Sequence, residues 1–281
     1  MNKHNFKNQV VVVTGGSGGI GKATAVAFVN AGAKVIIGGR DIKKLRAISK
    51  EIDCDFCQVN VENLKSVKKF VLKVVKKYKK IDVLINSAGI YGPIGQFHTN
   101  NLKDWEQAIK INLFGVVNVT HTVLPIMFKQ KKGKIINLSG GGAVQPFPNF
   151  SAYATSKASV VRFTENLAKE YEKNNIQINA VAPGAINTLF LDQVIKAGEK
   201  KVGKDFYEKS LEQKKTGGDS PELAAELMLF LCSPNSFNIT GKLIAAKWDG
   251  WKNFTAEQIS KFNLKSDYTL RRIDNKYFKE V

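Results

Sequence analysis

The chain has 281 residues, 43% of them apolar, and a formal net charge of +19 from 43 Lys and Arg against 24 Asp and Glu. That length and apolar content suffice for one sizeable buried core, so a single domain is expected. No run of about 18 apolar residues marks a membrane span and residues 1–9 hold no signal-like stretch, so a soluble cytoplasmic protein with no membrane partner is expected.

The excess charge is almost all lysine. Between Leu64 and Lys80, the apolar residues Val67, Phe70, Val71, Val74, Val75 and Tyr78 recur at helical spacing, and eight lysines fill much of the remainder. This is the solvated face of an amphipathic helix. Arginine, the usual residue for bidentate phosphate or base contacts, occurs only at positions 40, 46, 162, 271 and 272. Nucleic acid is therefore not expected as a partner. Three cysteines, an odd number, argue against a disulfide framework. Cys54 and Cys57 form a CxxC inside a strand-like run, where residues three apart face opposite sides, so no metal site is expected.

In chain order, short β-branched runs alternate with longer helical patterns. Strands are expected at Val10 to Thr14, Lys34 to Gly38, Asp55 to Val59, Ile81 to Asn86, Lys134 to Ser139, Gln177 to Val181 and near Lys242 to Ala246. Helices are expected at about 20–31, 41–52, 63–79, 101–130, 152–173 and 221–232. The alternation predicts an α/β fold with a parallel sheet, and the nearly all-apolar strands predict helices on both faces. Residues 188–218 follow a Pro-Gly turn as a lid or substrate loop. Residues 251–281 read as a C-terminal extension to a body spanning 1–250.

The run VVVTGGSGGIGKATAVAF places Gly15, Gly19 and Gly21 between the first strand and a helix. Glycines there tighten the turn and let the backbone approach a pyrophosphate, which the helix N-terminus favours. A dinucleotide-binding unit specific for NAD would place a carboxylate at the end of the second strand; this strand ends Gly38-Gly39-Arg40, which leaves room and charge for a 2′-phosphate. Asp41 is better used as the cap of the next helix. NADP(H) is the preferred cofactor, with NAD(H) as the second candidate.

Five motifs in order carry a resemblance to the short-chain dehydrogenase/reductase family over residues 8–246: TGGSGGIG, Asn86-Ser-Ala-Gly89, Ile109-Lys-Ile-Asn112-Leu-Phe-Gly, Tyr153-Ala-Thr-Ser-Lys157 and Pro183-Gly184-Ala-Ile-Asn-Thr188. The resemblance implies a Rossmann-type, doubly wound sheet and hydride transfer between a nicotinamide and a small-molecule carbonyl or alcohol. It also implies roles for residues. Gly15, Ser17, Gly19, Ile20 and Gly21 would line the pyrophosphate, Arg40 the 2′-phosphate, Asn60 and Val61 the adenine, and Asn86, Ala88 and Gly89 the adenine ribose side. Pro183, Gly184, Ile186 and Thr188 form the turn toward the nicotinamide amide. The lysine would hold the nicotinamide ribose and Asn112 would anchor a proton-relaying water. A homodimer or homotetramer is implied, with the helices at 101–130 and 152–173 at a subunit contact.

Residues four apart on a helix share a face, so Tyr153 and Lys157 reach one pocket. The ammonium there favours the phenolate, and Tyr153 acts as acid in reduction and base in oxidation. The family places a serine 13 residues before the tyrosine, where this chain has Gly140. Either the triple glycine at 140–142 lets the loop bring Ser139 into place, or the serine is absent and Ser139 only ends the strand. The first reading is preferred, making Ser139 the fourth catalytic residue. A cofactor-binding regulator with reduced or no turnover is the alternative function. The aromatics Tyr91, Phe97, Phe147, Phe150, Phe190 and Phe206 are candidates for an apolar substrate pocket.

Overall fold

Valine fills four of the five positions of the first strand because both of its faces are covered. In the computed structural model, which describes residues 5–237, 239–264 and 266–272, β1 (Val10–Thr14) buries Val11 and Val13 in one core and Val10 and Val12 in another. Each such valine, fully withdrawn from water, stabilises the fold by about 1.5–3 kcal/mol. The chain continues through α1 (Gly19–Asn30), β2 (Lys34–Gly39), α2 (Ile42–Ile52), β3 (Asp55–Gln58), α3 (Leu64–Tyr78) and β4 (Val83–Asn86). Next come α4 (Leu102–Ile109), a π-helical turn (Lys110–Phe114), α5 (Gly115–Gln130), β5 (Gly133–Leu138), α6 (Ser151–Glu170) and β6 (Ile176–Ala182). Helices α7 (Leu189–Ala197), α8 (Glu199–Val202), α9 (Lys204–Thr216) and α10 (Pro221–Cys232) precede β7 (Leu243–Ala245) and α11 (Ala256–Lys261).

The seven strands form one parallel sheet in the order β3-β2-β1-β4-β5-β6-β7. Helices α1, α2 and α10 cover one face, and α3, α5 and α6 the other, as the doubly wound pattern requires. Strand order reverses between β1 and β4, and in such sheets the crevice beyond the strand ends at that point is where a ligand binds. The register aligns Gly38, Thr14, Asn86, Asn137 and Ala180 across five strands, so the loops that follow them emerge side by side.

Two elements differ from the pattern read in the sequence. The single helix expected at 101–130 is broken by the π turn, and residues 188–218 are not a loop but three short helices separated at Gly198 and Gly203, both at positive φ. The run Leu102–Gln130 is long and apolar enough to cross a membrane, yet half of its most apolar window is buried against the protein. Cys54 packs on one core and Cys57 on the other, so they face opposite sides of the sheet, and the described residues contain no metal-ligating cluster.

The C-terminal segment packs on the body. Trp251 and Phe262 are buried with Phe254 and Tyr268 over Phe230 of α10, and Tyr268 accepts a 2.8 Å bond from Leu243 N–H on β7. Leu270 N–H donates to Glu165 on α6 at 2.6 Å. The segment thereby covers a strand edge that would otherwise expose unpaired backbone groups.

Candidate active site

The first wall of the crevice is built from glycine. Gly15 is at φ +68° and a Cβ there would lie 2.7 Å from Ala88 N; one on Gly21 would lie 2.2 Å from the Gly15 carbonyl. The loop after β1 therefore presses against the loop after β4, and the start of α1 folds directly onto it. Helix α1 begins at Gly18 with no side-chain cap. Its first N–H groups point toward the crevice without a competing carboxylate, a cradle that suits a pyrophosphate. A Cβ on Gly19 would lie 3.0 Å from Thr188 Cγ2, so the turn from β6 to α7 closes over the same cradle.

Arg40 follows β2, exposed, and has no ion-pair partner among the described residues. Asp41 caps α2, accepting from Lys43 N–H and Lys44 N–H at 3.1 and 3.0 Å. The carboxylate is thus engaged and the guanidinium is free. Asn60 donates to Glu62 at 2.9 Å, and Val61 packs against Gly115, where a Cβ would come within 2.7 Å of it. Asn118 of α5 donates to the Val61 carbonyl at 3.0 Å and fixes this loop.

Asn86 is placed at the crevice by its strand but its side chain turns into the core, donating to Thr120 at 3.1 Å and to Asn137 at 2.9 Å. Asn137 in turn donates to Thr164 at 2.9 Å. With its side chain engaged in the core, Asn86 offers its backbone to the crevice. The buried amide chain clamps β4 and β5 to α5 and α6.

Tyr153 and Lys157 lie one turn apart on α6, as their spacing requires. Lys157 is buried and donates from Nζ to the Leu138 carbonyl at 2.8 Å, with Nζ 5.5 Å from the Tyr153 ring centroid. Burial lowers the Lys157 ammonium from 10.5 to about 8. Burial, reinforced by Tyr91, raises the Tyr153 hydroxyl above its ordinary value. In this arrangement the ammonium is aimed at a carbonyl, and burial acts on the Tyr153 hydroxyl in the direction of its neutral form.

Asn112 is fully buried in the π turn, a distortion that recurs at functional sites. It accepts from Ile90 N–H at 2.8 Å and donates to the Ile90 carbonyl at 2.8 Å and to Ser156 Oγ at 3.0 Å. A Cβ on Gly89 would lie 3.2 Å from Asn112 Oδ1 and 3.7 Å from Lys157 Nζ, so Gly89, Asn112 and Lys157 converge on one point. Ser156, between the two motif residues of α6, is the partner that motif reading passes over.

Ser139 is not brought to the Tyr153 hydroxyl. Its own hydroxyl faces the Lys157 carbonyl at 3.5 Å, one helical turn away, while position 140 is the one that meets Tyr153. Strand alternation is the reason: adjacent residues leave a strand on opposite sides, and a one-residue offset cannot be absorbed without unpairing Ser139 N–H from the Val181 carbonyl at 2.8 Å.

Pro183 and Gly184 turn the chain toward α7. Gly184 has φ +95°, and Asp219 accepts from Ala185 N–H at 2.8 Å while pairing with Lys247 at 2.6 Å. Asp219 and Lys247 thus brace the turn that carries Ile186 and Thr188, and no motif announced them. Of the six candidate aromatics, five gather. Tyr91 lies edge-on to Tyr153 at 4.7 Å and to Phe190 at 4.6 Å, and Phe147, Phe150 and Phe206 continue the cluster. Phe97 is exposed and points instead toward Trp105.

A glycine-lined crevice at a strand-order reversal is the architecture of dinucleotide-binding proteins. The sequence model for the short chain dehydrogenases matches residues 9–198, and the chain belongs to that family. It is an enzyme of the family and shares 37% identity over 245 residues with the 3-oxoacyl-[acyl-carrier-protein] reductase FabG of Thermotoga maritima, covering 85% of this chain and 96% of that one. Among solved structures, actinorhodin polyketide ketoreductase with NADPH superposes with a TM-score of 0.77 at 27% identity, covering 88% of this chain and 98% of the other. The NAD+-bound xylitol dehydrogenase also gives 0.77 at 27% identity, covering 85% and 98%.

Proposed function

We propose that this enzyme interconverts a small-molecule carbonyl and its alcohol with NADP(H) in preference to NAD(H), using Tyr153, Lys157 and Asn112. The convergence of Asn112 and Lys157 beside Gly89, with Lys157 Nζ 5.5 Å from the Tyr153 ring centroid, carries the reading. Bound NADPH would supply the hydride. Gly15, Ser17, Gly19, Ile20 and Gly21 would hold its pyrophosphate, Arg40 its 2′-phosphate, Asn60 and Val61 the adenine, and the backbone at Asn86, Ala88 and Gly89 the adenine ribose. Pro183, Gly184, Ile186 and Thr188 would hold the nicotinamide side. Tyr153 gives its proton to the substrate oxygen in reduction, and Lys157 and Asn112 fix the ground on which it stands. Ser139 serves as a strut between β5 and α6.

The relative's 3-oxoacyl activity and the aromatic wall beside Tyr153 favour a 3-oxoacyl thioester as the first substrate class to test. We place the enzyme in the cytoplasm as a homodimer or homotetramer built on the segments 101–130 and 152–173; the exposed Phe114 and Phe128 of the first segment support it. Residues 1–250 are the catalytic unit and 251–281 its extension. Consumption of NADPH and of NADH, measured with a panel of ketones and 3-oxoacyl thioesters, tests the reading. Turnover with NADPH exceeding that with NADH supports it, and no turnover with any compound refutes it.

A further inference from the structure

The space left by the missing side chain at position 140 is occupied by the catalytic phenol. A Cβ built on Gly140 would lie 2.4 Å from the Tyr153 hydroxyl oxygen and 3.2 Å from Cζ. The Tyr153 hydroxyl therefore sits over the Gly140 α-carbon, and a serine there would collide with it. A substrate oxygen that accepts a proton from Tyr153 must lie beside this loop. It needs a second donor, because negative charge gathers on it as the carbonyl carbon takes the hydride.

The loop offers one. Gly140 to Ala143 form a turn closed by Ala143 N–H to the Gly140 carbonyl at 3.3 Å, with Gly142 at φ +82°. Positive φ at the third residue is the signature of a type II turn; because the Gly140 carbonyl points into the turn to accept this bond, the trans peptide sends the Gly141 N–H the opposite way, out of it. Gly142 fixes the turn on α6, since a Cβ there would lie 2.7 Å from Ala154 Cβ. The Gly141 N–H has no acceptor among the described residues, and it is two bonds from the α-carbon that Tyr153 covers.

We propose that the Gly141 peptide N–H donates the second hydrogen bond to the substrate oxygen, taking the place of a serine hydroxyl. This rests on the carbonyl reading above. In reduction the carbonyl carbon receives the hydride, the C=O π pair moves to oxygen, the Gly141 N–H stabilises that charge, and the Tyr153 proton neutralises it to give the alcohol.

The turn itself supplies a clean test, because the second residue of a type II turn accepts proline. Gly141→Pro removes the N–H and preserves the φ the turn requires. Gly141→Ala keeps the N–H, and its Cβ would lie at an ordinary 3.7 Å from the Phe147 ring. With NADPH and the N-acetylcysteamine thioester of acetoacetate as probe, Gly141→Pro should lose about 100-fold or more in kcat relative to Gly141→Ala, which keeps the N–H, while Ser139→Ala should stay within about threefold of wild type. NADPH affinity should be equal in all four proteins. Equal kcat for Gly141→Pro and Gly141→Ala overturns the proposal, as does a loss in Ser139→Ala matching that in Gly141→Pro. If the wild type leaves this probe unreduced, the 3-oxoacyl assignment fails, and the donor is judged by binding alone. In 15N-glycine-labelled enzyme holding NADP+, a downfield shift of the Gly141 amide on adding the probe supports the proposal, and an unmoved amide overturns it.

Discussion

Lys134 is a buried ammonium outside the active site, and removing it should stabilise the enzyme. It lies on β5 two residues before Ile136, on the side packed by α10, and its Nζ is buried without a hydrogen-bond acceptor among the described residues. Burial lowers it from 10.5 to about 8, opposed mainly by Cys232. A difference of about 2.5 pH units corresponds to roughly 3 kcal/mol of destabilisation when the group is charged in both states. Because the folded value lies below the unfolded one, the unfolded chain holds more protons between about pH 8 and 10.5. Stability contributed by this group therefore rises with pH across that window and is lost as pH falls through it. Lys134→Met keeps the aliphatic length and removes the charge. It should add about 2–3 kcal/mol at pH 7 and raise Tm by roughly 5 °C or more. Denaturant unfolding at pH 7 and pH 9.5 reads both effects. The variant should lose about one proton from the pH dependence, while Lys157, lowered in the same direction, keeps its own share. A variant no more stable than wild type at pH 7 would refute the reasoning.

Two further substitutions probe the cofactor crevice. Arg40→Asp should reverse the NADPH preference, lowering kcat/KM with NADPH by about 10-fold or more while sparing NADH, as loss of a charge-assisted phosphate contact predicts; an unchanged ratio in steady-state assays removes Arg40 from the site. Gly21→Ala places a methyl 2.2 Å from the Gly15 carbonyl, so it should weaken NADPH binding by about 10-fold or more, measured by fluorescence titration, and lower Tm. Unaltered affinity would mean the loop after β1 is not the pyrophosphate cradle.

Most strands were readable because burial on both faces makes them largely apolar, and the helices α2, α3 and α10 because their caps and periodicity agree. The Asp41 cap and the opposed cysteines follow from the same local rules. What the sequence did not show depends on contacts distant in the chain. The π turn around Asn112 has no local composition signal; it arises where Asn112 must reach Ile90 and Ser156 together. Helices α7 to α9 were hidden by Gly198 and Gly203, which interrupt an otherwise helical pattern that starts at the Thr188 cap. The inward turn of Asn86 depends on Thr120 and Asn137, and the bracing of the Pro183 turn depends on Asp219 and Lys247. Ser139 illustrates the limit best. Its chemistry suited the role, but a one-residue offset on a strand sends its hydroxyl to the Lys157 carbonyl instead of the Tyr153 hydroxyl.

Tyr153→Phe is the most direct test of the account, because it deletes one hydroxyl and leaves the ring that packs on Tyr91. Reduction of the acetoacetyl thioester, or of whichever carbonyl the wild type turns over, should fall by about 100-fold to 10,000-fold. NADPH affinity, measured on the same preparation, should stay within about threefold. Retention of most of the activity by Tyr153→Phe would contradict the central claim that this phenol handles the proton.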